Sequence, residues 1–331
     1  MKRPVVVALN PSIDAEWCVD GVRWEEKNNV LSERRWAGGK GVNVARWLKH
    51  LGENPQLILP LGGTSGRELA ALLRAEKISA TVIRLGVSPD TRSGLPLPFG
   101  RGEGRGEGNS ATRVNLIVST KTQGQLRFNP LGPELSKREW QTMLTRVRAA
   151  LRHASCLILS GSLPRGVPVN AYAQLIRLAR AAKVSALLDC DGPALAAAIR
   201  AKPFLVKPNE HELAQWSTGL RPGVVGQASC LSGGRSEISQ AARQLSSVTQ
   251  HWVLVSRGAK PALLVNATAN QTLAARPPRV NPRNTVGAGD ALLAAVAQQL
   301  IHNAPPSAWL RAGLATGSAA TQLQAGGLPV R

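Results

Sequence analysis

The chain has 331 residues, 43% of them hydrophobic, enough to bury the core of one large α/β domain. Lys and Arg total 41 against 20 Asp and Glu, a formal charge of +21 that suits anionic ligands. The cations are scattered over helix-like faces and no stacking platform accompanies them (one Tyr, three Phe), so nucleic acid is excluded as the main partner.

From the N-terminus, the apolar run after Arg3 stops at Asn10-Pro11. That is too short for a signal segment or a membrane span, and it reads as a first buried strand over residues 5–9. Further strands are expected at 56–59, 156–159, 186–188, 204–206 and 252–255. Helices are expected at 41–50, 67–76, 137–154, 170–182, 210–215 and 237–248. Such alternation implies an α/β fold with a mainly parallel central sheet covered by helices on both faces, with ligands beyond the C-terminal ends of the strands. Two regions break the pattern. Short polar strands over 16–35 and a hairpin over 112–128 suggest a small projecting sheet, a lid built from about 14–36 and 110–130.

Residues 93–109 include Gly102-Glu103-Gly104-Arg105-Gly106-Glu107-Gly108, where every second residue is glycine. This is not a dinucleotide fingerprint, and it reads, with Gly/Ser-rich 220–235, as a disordered insert in a single domain spanning 1–331. Cys18, Cys156, Cys190 and Cys230 lack metal-ligand spacing and look like reduced thiols of a cytoplasmic protein.

The chemistry concentrates in Asn284-Thr285-Val286-Gly287-Ala288-Gly289-Asp290, followed by the apolar run 291–296. The small residues free backbone N–H groups at the start of a helix, where an oxyanion or phosphate is held. A carboxylate beside such an anion needs a task, and taking a proton from an attacking hydroxyl is one. A capped turn is the competing reading, since Asp is also a good N-cap. Gly38 and Gly39 permit close approach to a ligand, and Lys40 directly after them is a grip for a phosphate. His211 beside Glu212 lacks a second His at helical spacing, so zinc is not expected.

Seven segments occur in an order that resembles the PfkB group of ribokinase-like sugar kinases, in its hexose-phosphate branch. They are Leu9 to Asp14, Gly38 to Ala45, Leu61 to Gly66, Thr112 to Leu116, Ser160 to Gly166, Lys207 to Leu213 and Asn284 to Asp290. The resemblance implies a three-layer α/β/α fold with a β lid. It implies Asp290 as catalytic base, with Gly287, Ala288 and Gly289 forming the anion hole. Asp14, Gly38, Gly39, Lys40, Asn43, Arg113, Asn115 and Ser162 would bind the sugar phosphate, Lys40 and Arg113 through its phosphate. Lys207, Asn209, Glu212, Ser256, Gly258, Asn284 and Thr285 would serve ATP, with Asn209 and Glu212 ordering Mg²⁺ through water. The substrates implied are fructose 1-phosphate first, then tagatose 6-phosphate, then fructose 6-phosphate, and a lid-clasped homodimer is implied as well. Thr91-Arg92 repeats the Thr-Arg pair of Thr112-Arg113 without the strand that follows it. One departure stands out: in Ser256-Arg257-Gly258-Ala259-Lys260-Pro261, Pro261 replaces the family's last glycine. Loss of turnover through Pro261 and the inserts, leaving a sugar-phosphate-binding protein, is the alternative of a different class.

Overall fold

The computed structural model describes residues 2–86, 110–120, 124–219 and 235–328. Both expected inserts, apart from Arg235, and Thr91, Arg92 and Cys230 lie outside these residues. In chain order the strands are β1 (Arg3–Val7), β2 (Ser12–Val19), β3 (Val30–Gly38), β4 (Gln56–Leu61), β5 (Ser79–Arg84), β6 (Arg113–Thr120) and β7 (Gln125–Phe128). They continue with β8 (Ala154–Ser160), β9 (Ala186–Asp189), β10 (Leu205–Val206), β11 (Trp252–Val255), β12 (Ala262–Asn266) and β13 (Gln271–Ala275). The helices are α1 (Lys40–His50), α2 (Gly63–Ala75), α3 (Lys137–Leu151), α4 (Ala171–Ala181), α5 (Gly192–Ala198), α6 (Glu210–Thr218), α7 (Arg235–Thr249), α8 (Ala288–Ile301) and α9 (Pro306–Thr321).

A nine-stranded sheet runs β13-β12-β11-β10-β9-β8-β1-β4-β5. It is parallel from β5 to β11, and β12 and β13 add an antiparallel edge. Val5, Val6 and Val7 are fully buried because both sheet faces are covered. On one face Trp140, Met143, Tyr172, Leu213 and Leu245 bring α3, α4, α6 and α7 onto the sheet. On the other, Trp47, Leu69, Leu292 and Trp309 do the same for α1, α2, α8 and α9. Three layers result.

Helix α3 opens with a capping box from Ser136 and Glu139, but ends before the expected 154. Ala154 is instead drawn into register with Arg3 as the first residue of β8, so strand pairing overrides helical propensity there. Helix α9 has no counterpart among the expected helices, because an Ala/Gly-rich helix buried against α8 carries no clear amphipathic stripe.

The second sheet is β3-β2-β6-β7. In its register Asp14 faces Trp36 of antiparallel β3 and Asn115 of parallel β6. The lid expected from the polar strands is therefore a real sheet, entered straight from the end of β1. Its outer parts leave Trp24, Leu31 and Phe128 exposed.

Candidate active site

Lys207 and Ser256, which follow the C-terminal ends of β10 and β11, lie beside Gly289 in the first turn of α8. Gly287 is its N-cap in the left-handed region (φ 80°), where a Cβ would be strained. Asn284 Oδ1 accepts the Val286 N–H at 3.0 Å, and Thr321 O accepts the N–H groups of Arg283 and Asn284 at 2.7 and 3.0 Å. First-turn N–H groups have no i−4 partner. Among Gly287, Ala288 and Gly289 only the Ala288 N–H reaches a carbonyl of the described residues, Thr285 O at 3.4 Å. The turn is thus ready to hold an anion.

Helix α8 begins two residues before Asp290, not after it, so Asp290 sits in the first turn and is not the cap. Its carboxylate, 5% exposed, accepts a 2.9 Å hydrogen bond from Asn43 Nδ2 on α1. Burial, then the charge of Asp189, pushes its pKa up from 3.8 to about 7, against the pull of Asn43, Lys40 and Lys207.

Lys40 is the first residue of α1, after Gly39 (φ 92°). Its Nζ lies 3.4 Å from Asp189 Oδ1 and 3.9 Å from Glu212 Oε1. Lys207 Nζ lies 3.3 Å from Asp189 Oδ2. Asp189 is buried at the end of β9, yet Lys207 and Lys40 outweigh that burial and hold its pKa below 3.8. In return Asp189 raises the pKa of Lys40. Asp189 is absent from the residues expected of the site, although an Asp-Cys-Asp run directly after a buried strand was a usable signal.

Asn209 and Glu212 form a reciprocal capping box on α6, each accepting the other's backbone N–H at 2.8 Å. Their spacing therefore has a local structural role as well. Glu212 Oε2 is committed to the cap, and Oε1 is the oxygen near Lys40. Burial and the charge of Asp189 raise the Glu212 pKa.

A second corner gathers on the small sheet. Asp14 Oδ1 accepts from Ser12 Oγ and Asn115 Nδ2, each at 2.8 Å. A Cβ at Gly38 would overlap the Asp14 carboxyl, so only glycine fits there. Arg113 donates to Asn10 O at 2.9 Å and Pro130 O at 3.3 Å, while Asn10 Nδ2 reaches Ser162 Oγ at 3.1 Å. Arg113 Nε, Asn115 Oδ1 and Asn10 Oδ1 are buried without a partner among the described residues, which is the mark of a place where a polar ligand completes the bonding. Arg113 and Lys40 share no partner among the described residues, although both were expected on one phosphate.

Beside α8 lies a cavity of about 610 Å³ lined by Ser256, Gly258, Thr285, Gly289, Gly317 and Pro278, among others. Arg279, Leu314 and Thr321 also line it, and no sequence motif pointed to them. Ser256 N donates to Pro208 O at 3.0 Å, tying this wall to the Asn209 cap. The turn ending at Pro261 is closed by Lys260 N to Arg257 O at 3.0 Å, and Glu210 pairs with both Arg257 and Lys260 at 3.1 and 3.0 Å. Arg257 Nη1 also donates to Pro261 O at 3.4 Å.

The model of the pfkB family carbohydrate kinases matches residues 4–104 and 106–330. The chain belongs to this family. Accordingly it is a phosphotransferase acting on a sugar hydroxyl. The kinase is 34% identical over 304 residues to a 1-phosphofructokinase of Xanthomonas campestris pv. campestris, covering 91% of this chain and 85% of that one. It is 31% identical over 324 residues to the ATP-dependent 6-phosphofructokinase isozyme 2 of Escherichia coli K12, covering 97% and 93%. The structure of Escherichia coli phosphofructokinase-2 in complex with substrates and products superposes with a TM-score of 0.79 at 30% identity, covering 97% of this chain and 94% of that one. No helix among the described residues is long and apolar enough to cross a membrane.

Proposed function

We propose that the kinase transfers the γ-phosphoryl group of ATP to a phosphorylated ketohexose, with fructose 1-phosphate as preferred acceptor and fructose 1,6-bisphosphate as product. The observation that carries this reading is that Gly289, next to Asp290, lines the cavity, while Asp290 itself bonds Asn43 of α1, the helix that follows the Gly38–Gly39 turn abutting Asp14. The 610 Å³ cavity lies along the α8 side, and the Asp14 corner, with Arg113, lies on the lid side. A half-buried guanidinium with a buried, unpartnered Nε suits a phosphate that the sugar already carries. Relatives named 1-phosphofructokinase and 6-phosphofructokinase support a sugar phosphate, and tagatose 6-phosphate and fructose 6-phosphate are the alternatives.

In this mechanism Asp14, Asn43, Asn115 and Ser162 hold the sugar hydroxyls beside Gly38 and Gly39. Asp290 takes the proton of the attacking hydroxyl. The N–H groups of Gly287, Ala288 and Gly289 stabilise charge on the group in transfer. Arg113 holds the far phosphate; Lys40, expected to share that grip, is tethered to Asp189 and Glu212 and feels the charge of Asp290, so its positive charge is assigned instead to the group in transfer. Ser256, Gly258, Asn284, Thr285 and Lys207 border the nucleotide. Glu212 and Asn209 would hold Mg²⁺ through water, with Asp189 as the nearby second carboxylate. Two carboxylates fit an ion that takes its other ligands from phosphates and water, and it would neutralise the β/γ oxygens. The exposed Trp24, Leu31 and Phe128 of the lid suit a homodimer, which light scattering would test.

The decisive assay is coupled ADP release with Mg²⁺-ATP and fructose 1-phosphate, tagatose 6-phosphate, fructose 6-phosphate or free fructose. Preference for one phosphorylated sugar is expected. Activity on free fructose alone would overturn the phosphate role of Arg113. Binding without turnover on all four would leave a sugar-phosphate-binding protein.

A further inference from the structure

Asp14 is fixed by Ser12 and Asn115, and a segment far along the chain packs on its cross-strand neighbour. Its cross-strand neighbour on β3 is Trp36. Trp36, Ile117 of β6 and Ala325 form a small buried cluster separate from the main core. Gly326, in the left-handed region (φ 69°), lies flat against the Trp36 indole, and a Cβ there would overlap the ring. The segment around Gly326 is pinned on two sides. From the lid, Arg34 donates to Gln324 Oε1 at 2.7 Å and Ala325 O at 3.4 Å, pairs with Glu16, and stacks 5.4 Å over Trp36. From the body, Arg46 donates to Gly326 O at 2.8 Å and pairs with Glu76, the C-cap of α2, at 2.6 Å.

Arg46 is 8% exposed and lies on α1, the helix that carries Lys40 and Asn43. A buried guanidinium needs full pairing, and this one divides its bonds between a carboxylate and a backbone carbonyl, a use of the planar fork that an ammonium cannot copy. Its charge also acts on Asp14, opposing the effect of burial there. The same segment leaves α9 at Thr321, whose carbonyl holds the turn before Gly287. Residues 324–326 therefore touch the lid, α1 and the end of the helix beside the cavity, and nothing in phosphoryl transfer itself requires them.

We propose that the C-terminal segment 324–326 is a strap that positions Asp14 and the lid for the acceptor sugar, with Arg46 as the positioning residue that anchors it. This rests on the reading of Asp14 as a sugar contact. The strap packs on Trp36, the cross-strand neighbour of Asp14, and the side-chain hydrogen bonds it receives at 324–326 come from β3 and α1, whereas the cavity lining ends upstream of it, at Thr321.

The experiment measures, by calorimetry, the affinities of Arg46→Met, Arg46→Lys, Gly326→Ala, Arg34→Gln and Asp14→Asn for fructose 1-phosphate and, separately, for a non-hydrolysable ATP analogue. Fructose 6-phosphate is run in parallel. Misplacing a positioned group by on the order of 1 Å costs up to about 100-fold, so Gly326→Ala and Arg46→Met should weaken sugar-phosphate binding by about tenfold or more. The analogue's affinity should stay within about twofold, and Arg46→Lys should recover part of the loss. Equal losses for both ligands would overturn the strap and leave a general stabilising role. Unchanged sugar affinity in Gly326→Ala and Arg34→Gln would also overturn it, and these two carry the test if Arg46→Met does not fold. If Asp14→Asn binds both sugars like the parent, the reading of Asp14 fails instead.

Discussion

Replacing Asp290 by Asn should make the kinase more stable and nearly inactive, and the stability gain should depend on pH in a defined way. The folded-state pKa is raised from 3.8 to about 7 by burial and by Asp189. Between those values the unfolded chain has released the proton while the folded chain keeps it. Stability therefore falls as pH rises from about 4 to 7 and is level above. At about 1.36 kcal/mol per pKa unit the upper limit of that loss is about 4 kcal/mol. The amide of the Asp290→Asn variant keeps an acceptor for Asn43 and cannot ionise, so a gain on the order of 1–3 kcal/mol is expected at pH 8, vanishing near pH 4. Urea unfolding of both proteins from pH 4 to 9 measures it. Turnover should drop by about 10²–10⁴-fold or more through loss of the base, with the nucleotide still bound. A stability difference that does not change with pH would refute the placement of a neutral carboxyl at Asp290, and near-normal turnover would remove it as the base.

Asn43→Leu deletes the hydrogen bond that favours the ionised form of Asp290, and a bond to a charged group is worth about 1.5–3 kcal/mol. The acid limb of the kcat/KM profile should move to higher pH by about one unit, and an unmoved limb would separate Asn43 from the base. Asp189→Asn leaves Lys40 and Lys207 without their shared counter-charge, and breaking a buried pair should lower stability by about 3–5 kcal/mol in urea unfolding. Pro261→Gly should destabilise the protein by less than about 1 kcal/mol, through the greater freedom of its unfolded chain. The ATP KM should shift less than about twofold, because Glu210 fixes the loop through Arg257 and Lys260. A large improvement in KM would show instead that proline distorts the nucleotide wall.

The α/β alternation, the lid strands and the Gly-rich turn before Asp290 were legible in the sequence because these are local signals. Apolar runs of strand length, glycines next to a charged residue and a helix start are all written within a few neighbouring residues. Asp14, Lys40, Asn43, Arg113, Asn209 and Glu212 could be named as candidates from the sequence, since each lies in a short motif. Which of these groups pair was settled only by tertiary packing. Asp189 became the shared counter-charge of Lys40 and Lys207 because the ends of β9 and β10 and the start of α1, separated in the chain, meet at the C-terminal end of the central strands. The end of α3 was settled by pairing of Ala154 with Arg3, which no helical pattern encodes. The packing of Gly326 on the Trp36 indole joins residues nearly 300 positions apart in the sequence, and its energy exists only once those distant segments pack together. Local patterns follow from backbone geometry and hydrophobic period, whereas long-range pairs follow from packing and desolvation, which a linear chain does not display.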